Sequence, residues 1–249
     1  MLVNRIKFII ITFIIMITLL ILTNNPIISG GITFTIIMVG YIIIAYIRGK
    51  KRLNLIEENC DPQAFIEATE KQRSITGKNP KINTYLNIDE AVGLILHGEF
   101  QKAKEALLSI DKSYLSLKNG TLLVYTINLI SCLYELGEIS YAEEIFETQI
   151  PILSPVNPRM KLAMKLLVAE RLFFLNRYEE SKEKIQPLLS EKISKRIKVS
   201  ILYKLAQIDE KNGEFESAQR RYKKVVDEGN KLWIAIQAKQ NLLDIKKNT

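Results

Sequence analysis

The sequence predicts an all-α chain in which a two-helix membrane hairpin precedes a solenoid of helix pairs. Three observations carry that expectation. From Phe8 to Ile47 the chain has no Asp, Glu, Lys or Arg, and this run of 40 residues ends in the basic cluster Arg48-Gly49-Lys50-Lys51-Arg52. The 197 residues beyond the cluster are polar and patterned for helix. Within them, one short turn pattern recurs at nearly constant spacing.

A charge-free run of this length is too long for one buried helix and long enough to cross a bilayer twice, since a span takes about 20 apolar residues. Its two halves are separated by Thr23-Asn24-Asn25-Pro26, a polar breaker cluster suited to a turn outside the hydrocarbon. The first helix is expected over about 6–23, reached if Lys7 snorkels to the headgroups. The second is expected over about 27–47, opened by Pro26, because proline fits the first turn of a helix. Arg5 and Lys7 precede the first segment, the basic cluster follows the second, and the turn between them carries no charge. The positive-inside bias then places both ends, and the large domain, in the cytoplasm of the cell. No ionisable group lies inside either segment, so the hairpin reads as an anchor and not as a transport path.

The net charge of +8 belongs mainly to this topology signal. Six of the 35 Lys and Arg fall in residues 1–52, which leaves 29 basic against 27 acidic residues from 53 to 249. No basic stripe interleaved with aromatics stands out there, which argues against nucleic acid as a partner. Arg48, Lys50, Lys51 and Arg52 are placed to meet anionic headgroups at the membrane interface. Cys60 and Cys132 fall in a reducing compartment on this reading, where a disulfide is not expected.

The recurring pattern consists of Gly98-Glu99-Phe100-Gln101-Lys102-Ala103, Gly137-Glu138-Ile139-Ser140-Tyr141-Ala142, Asn176-Arg177-Tyr178-Glu179-Glu180-Ser181 and Gly213-Glu214-Phe215-Glu216-Ser217-Ala218. The openers stand 39, 39 and 37 residues apart. Each opener can take the left-handed conformation that ends a helix. The apolar residue two places on fills the crotch between two helices, and the small residue three further lets them approach. An apolar residue follows four later, at Leu107, Phe146, Ile185 and Tyr222. One such pair cannot bury its own apolar face, so pairs must stack. Pro151, Pro155 and Pro158 mark a stiff connection between the second and third repeats, and residues 231–247 read as a helix capping the open end of the stack.

With their Gly-x-aromatic-x-x-Ala core, these segments resemble tetratricopeptide repeats over residues 80–229. The period is longer than the family's roughly 34 residues, Glu90 stands where a Leu is expected, and the third repeat substitutes Asn176 and Ser181. The resemblance implies a groove lined by the first helix of each pair, in which a peptide lies. Aligned on the turn residues, the groove-facing places are Ile88 and Val92, then Ile127, Asn128, Ser131 and Tyr134, then Leu166, Glu170 and Phe173, and finally Tyr203 and Gln207. The Lys and Asn with which some members grip a peptide carboxylate are absent from the first repeat.

No catalytic constellation accompanies the repeats. The one histidine, His97, has no Cys or His at ligand spacing, and Gly77-Lys78 lacks the rest of a phosphate loop. The expectation is a non-catalytic adaptor without cofactor or metal, tethered to the membrane, binding a protein or peptide partner. Its rival is an accessory subunit of a membrane complex, engaged through the hairpin, with the solenoid regulatory.

Overall fold

The structure, a computed structural model, describes the backbone of residues 2–248, and the side chains of 8–245 and 247. The side chains of Arg5, Ile6 and Lys7, which the sequence assigns to the membrane edge, lie outside that set. Among the described residues all regular structure is helical, and the chain divides into two units, residues 1–51 and 52–249.

The first unit holds α1 (Leu2–Thr23) and most of α2 (Pro26–Glu57). The turn between them is fixed by Asn25, whose Oδ1 accepts from the amides of Ile27 at 3.0 Å and Ile28 at 3.3 Å, and by Thr23 and Ser29, whose hydroxyls lie 2.7 Å apart. Apolar side chains are exposed along both helices, among them Phe13, Ile21, Phe34 and Ile42. By length and composition α2 is able to cross a membrane, while the described apolar stretch of α1, Phe8–Thr23, is shorter. The sequence ends the second helix near residue 47. Instead α2 continues through the basic cluster, because residues 50–57 contain neither glycine nor proline to stop it. Its 32 residues make it about 48 Å long, more than a hydrocarbon core needs.

The second unit begins with the last turns of α2 and α3 (Pro62–Thr76), whose N-terminus is capped by Asp61 Oδ1 accepting from the Ala64 amide. Four hairpins follow: α4 (Pro80–His97) with α5 (Phe100–Leu108), α6 (Thr121–Glu135) with α7 (Ile139–Gln149), α8 (Pro158–Phe174) with α9 (Tyr178–Ile185), and α10 (Lys195–Lys211) with α11 (Phe215–Glu228). The last helix, α12 (Trp233–Asn248), packs on α11.

The four turns are built alike. Gly98, Gly137, Asn176 and Gly213 all have positive φ, between 61° and 90°. In each, the following amide reaches back to the carbonyl five residues earlier: Glu99 to Leu94, Glu138 to Leu133, Arg177 to Leu172 and Glu214 to Asp209, at 2.8–2.9 Å. This double closure is the Schellman arrangement, which satisfies carbonyls that a helix end otherwise leaves bare. The small residues Ala103, Ala142, Ser181 and Ala218 are fully buried at the close approach, and the Ser181 hydroxyl is satisfied by donating to the Ala169 carbonyl at 2.7 Å.

Successive repeats are also joined by charge at one recurring place, six residues after the opener. Lys104 reaches Glu138 at 2.6 Å, Glu143 holds Arg171 at 2.6 Å, and Lys182 reaches Glu214 at 3.0 Å. Each of these contacts crosses from one repeat to the next.

The stack closes on itself. The Lys231 amide donates to the Cys60 carbonyl at 3.2 Å, Asn230 Nδ2 donates to the Asn59 carbonyl at 2.8 Å, and Lys231 Nζ meets Asp61 Oδ2 at 2.7 Å. Beside them the Trp233 ring stands edge-on to Phe100 at 5.2 Å and to Tyr203 at 5.7 Å. Cys60 is buried in the same apolar cluster as Tyr203, Tyr222, Leu232 and Ile234. So α12 does more than cap an open end: its first turn joins the last repeat to the first, and α12 also contacts α4.

The turn geometry yields a prediction. Nothing lies within 4 Å of a Cβ built on Gly137, so Gly137→Ala carries only the left-handed penalty, about 1–2 kcal/mol. At Gly98 the new Cβ also meets Trp233 Cβ at 2.9 Å, so Gly98→Ala costs more and strikes the closure as well. Thermal melts followed by the fluorescence of Trp233 should rank the wild type above Gly137→Ala, and that variant above Gly98→Ala. Equal melting of the two variants would contradict the packing described.

Candidate binding groove

The first helices of the four hairpins, α4, α6, α8 and α10, face a common interior. There they line a partly open cavity of about 500 Å³. Leu53, Ile56 and Glu57 from the end of α2 close one side, and Leu232, Trp233 and Ile234 close another. The walls are mainly aliphatic and aromatic, which suits an apolar guest with a few fixed polar contacts.

Of the residues the sequence places on a groove, Ile88, Val92, Ile127, Asn128, Ser131, Leu166, Glu170 and Tyr203 line this cavity. Tyr134, Phe173 and Gln207 do not. Tyr134 is buried, its hydroxyl donating to Glu143 and its ring stacked on Phe174 at 5.0 Å. Burial and the Glu143 carboxylate push its phenol well above the usual range. Phe173 serves as a platform for Lys204, whose Nζ lies 4.1 Å from its ring centroid and 4.7 Å from that of Phe174. Gln207 donates to the Tyr203 hydroxyl at 3.4 Å, behind the wall. Asn128 donates to the Val124 carbonyl one turn earlier, at 2.8 Å.

The charged lining escapes the sequence reading. At the α2 side, Glu57 is held by Arg159, by Arg196 at 3.1 Å and by the Ser194 hydroxyl at 2.5 Å. Burial works against its charge, but Arg196, Ser194 and Arg159 together outweigh it and hold the carboxyl below its ordinary value. Asp89 pairs with Arg52 at 2.7 Å, yet burial still leaves its carboxyl above the usual value. Arg52 also donates to Thr69 and lies 5.6 Å over the Phe65 ring. It is therefore engaged within the second unit, while Arg48, Lys50 and Lys51 of the basic cluster remain exposed.

Deeper in the groove, successive repeats bring together Glu135 of α6, Glu170 of α8 and Lys204 of α10. Ser131 Oγ donates to Glu170 Oε2 at 2.7 Å. Lys204 Nζ lies 3.9 Å from Glu135 Oε1, an ion pair beyond hydrogen-bonding distance. Burial pushes the Glu135 carboxyl up to about 7, with Lys204 lowering and Glu170 raising it.

Two of these groups were within reach of the sequence. Glu135 lies one turn beyond Ser131 on the same helix face, and Lys204 is the neighbour of Tyr203. Glu57 was not, because only the closing of the stack brings α2 to Arg196.

Compared with family models, curated proteins and solved structures, the chain matches none. Among the described residues, no group of three or more His, Cys, Asp or Glu is placed to hold a metal ion. What the cavity offers is apolar surface with paired charge at one side and an uneven ion cluster at its depth.

Glu135 gives a signed pH dependence. Its ordinary value is 4.5 and its folded value about 7, so across that interval the folded chain keeps a proton that the unfolded chain has released. Its contribution is full below pH 4.5 and is lost as pH rises through 7. Glu135→Gln abolishes that loss. Urea midpoints at pH 5 and pH 8 should show the wild type losing on the order of 2–3 kcal/mol more than the variant between them. Parallel pH dependence of the two proteins would rule out a buried, proton-holding Glu135.

Proposed function

We propose that the chain is a non-catalytic, membrane-tethered adaptor whose tetratricopeptide-like solenoid receives a protein segment in the groove. The observation that carries this reading is the cavity itself. It is lined by the first helix of every hairpin, as the resemblance implies, and it is sized for a few side chains and not for a whole helix. The four Schellman turns and the buried small residues after them support the tetratricopeptide-like part of the proposal. On the membrane side, α1 and α2 form a two-span hairpin with both ends in the cytoplasm. Exposed apolar side chains along both helices and the basic residues Arg48, Lys50 and Lys51 support that topology. Tethering raises the local concentration of the groove near membrane targets, so a modest intrinsic affinity suffices.

A photo-reactive side chain at Leu166, in inverted membrane vesicles supplied with cytosol, tests groove and topology together. It should capture a defined protein that a probe at Glu183, exposed on α9, does not. Asn128→Arg, which fills the cavity from α6, should abolish that capture in a protein that still melts normally. Identical captured proteins from Leu166 and Glu183 would remove the groove from the account.

A further inference from the structure

The charges around the cavity are unevenly provided for. At the α2 side every carboxylate has close partners: two arginines and a hydroxyl surround Glu57, and Arg52 lies 2.7 Å from Asp89. Further along the wall, Glu135 and Glu170 lie close enough for each to feel the other's charge, and Glu135 has one ion-pair partner, Lys204. Lys204 is itself fixed against the faces of Phe173 and Phe174 and stands 3.9 Å from Glu135. Glu170 has the Ser131 hydroxyl. Glu135 sits in the cavity wall with its side chain 19 % exposed, and its nearest cation is outside hydrogen-bonding range. A carboxylate offers several acceptor sites, and among the described residues no donor lies within hydrogen-bonding distance of those on Glu135. This corner of the cavity is therefore short of one positive, hydrogen-bonding group.

The rest of the wall specifies what that group is attached to. Ile127, Leu166, Val92 and Trp233 make the approach apolar. Lys204 shows the chemistry the site accepts, an ammonium on an aliphatic stem held between aromatic faces and a carboxylate.

We infer that the groove takes a short peptide segment carrying a lysine or arginine between apolar residues, with the cationic head set between Glu135 and Glu170 and the flanking side chains against Ile127, Leu166 and Trp233. This rests on the adaptor reading and gives it a partner chemistry. An acidic segment is excluded from the same place by the two carboxylates, so the groove selects by charge as well as by apolarity.

The test uses the full chain in nanodiscs of zwitterionic phosphatidylcholine, with empty discs as the blank, so that basic peptides are not drawn to anionic lipid. The probes are fluorescein-labelled acetyl-Ala-Leu-Lys-Leu-Ala-amide and its analogues with norleucine or glutamate in place of the lysine, read by anisotropy. At pH 8 the lysine peptide should bind at least about tenfold more tightly than the norleucine peptide, as expected for a partly buried charge pair. The glutamate peptide should bind most weakly. Glu135→Gln should bring the lysine peptide to the norleucine level, and Glu170→Gln should do so in part. Melting curves on Trp233 fluorescence establish that both variants are folded.

The lysine preference should also shrink towards pH 6, where Glu135 takes up a proton. The groups facing Glu135 are Lys204 and Tyr203 from α10 and Glu170 from α8. Equal binding of the lysine and norleucine peptides, or a preference that survives both variants, would overturn the cation site and leave the groove standing. Binding of no peptide above empty discs would overturn the adaptor reading along with it.

Discussion

The groove depends on one seam, where the residues after α11 meet those after α2. A stack of helix pairs has two ends, and each exposes the apolar face that the next pair would have covered. Here the two ends cover one another. Trp233 lies against Phe100 and Tyr203, and Cys60 is buried with Leu232 and Ile234. Around this apolar contact, the bonds from Asn230 and Lys231 to Asn59, Cys60 and Asp61 set the register. Without the seam, the last turns of α2 and the first turn of α12 no longer wall the cavity, and the buried side of Glu57 opens to water.

The repeats supply the curvature that lets the ends meet. Each Schellman turn fixes the angle between two helices, and each buried alanine or Ser181 fixes how closely they approach. The ion pairs six residues beyond the first three openers then fix one hairpin against the next. These pairs are half-buried, and pairs nearer the surface contribute on the order of 0–1 kcal/mol each. Their recurrence at one place matters more for register, since each positions the helix that lines the groove.

Much of the repeat architecture was legible in the sequence, because it is local. Gly98, Gly137, Asn176 and Gly213 announce helix ends by what their backbones can do, and the small residues follow at a fixed distance. The groove face was legible in the middle turns of α6 and α8, where Ile127, Asn128, Ser131, Leu166 and Glu170 share one helical stripe. It failed at the ends of those stripes. Tyr134 and Phe173 lie behind the wall, where their rings pack against Phe174 and seat Lys204. The continuation of α2 to Glu57 was missed because a change from apolar to basic residues marks a membrane edge but does not stop a helix. The closing of the stack was not legible, since Asn59 and Asn230 are 171 residues apart and no local pattern links them.

The most direct measurement is native-state hydrogen exchange, at single-residue resolution, of the Lys231 amide in the full chain. Its acceptor is the Cys60 carbonyl, so its protection reports the seam and nothing within its own repeat. A closed stack predicts that Lys231 is protected far beyond exposed loop amides such as that of Ser154, and that it opens together with the helix interiors around Trp233. Exchange at the rate of those loops, with α10 and α11 still protected, would contradict the closed stack and the groove built on it.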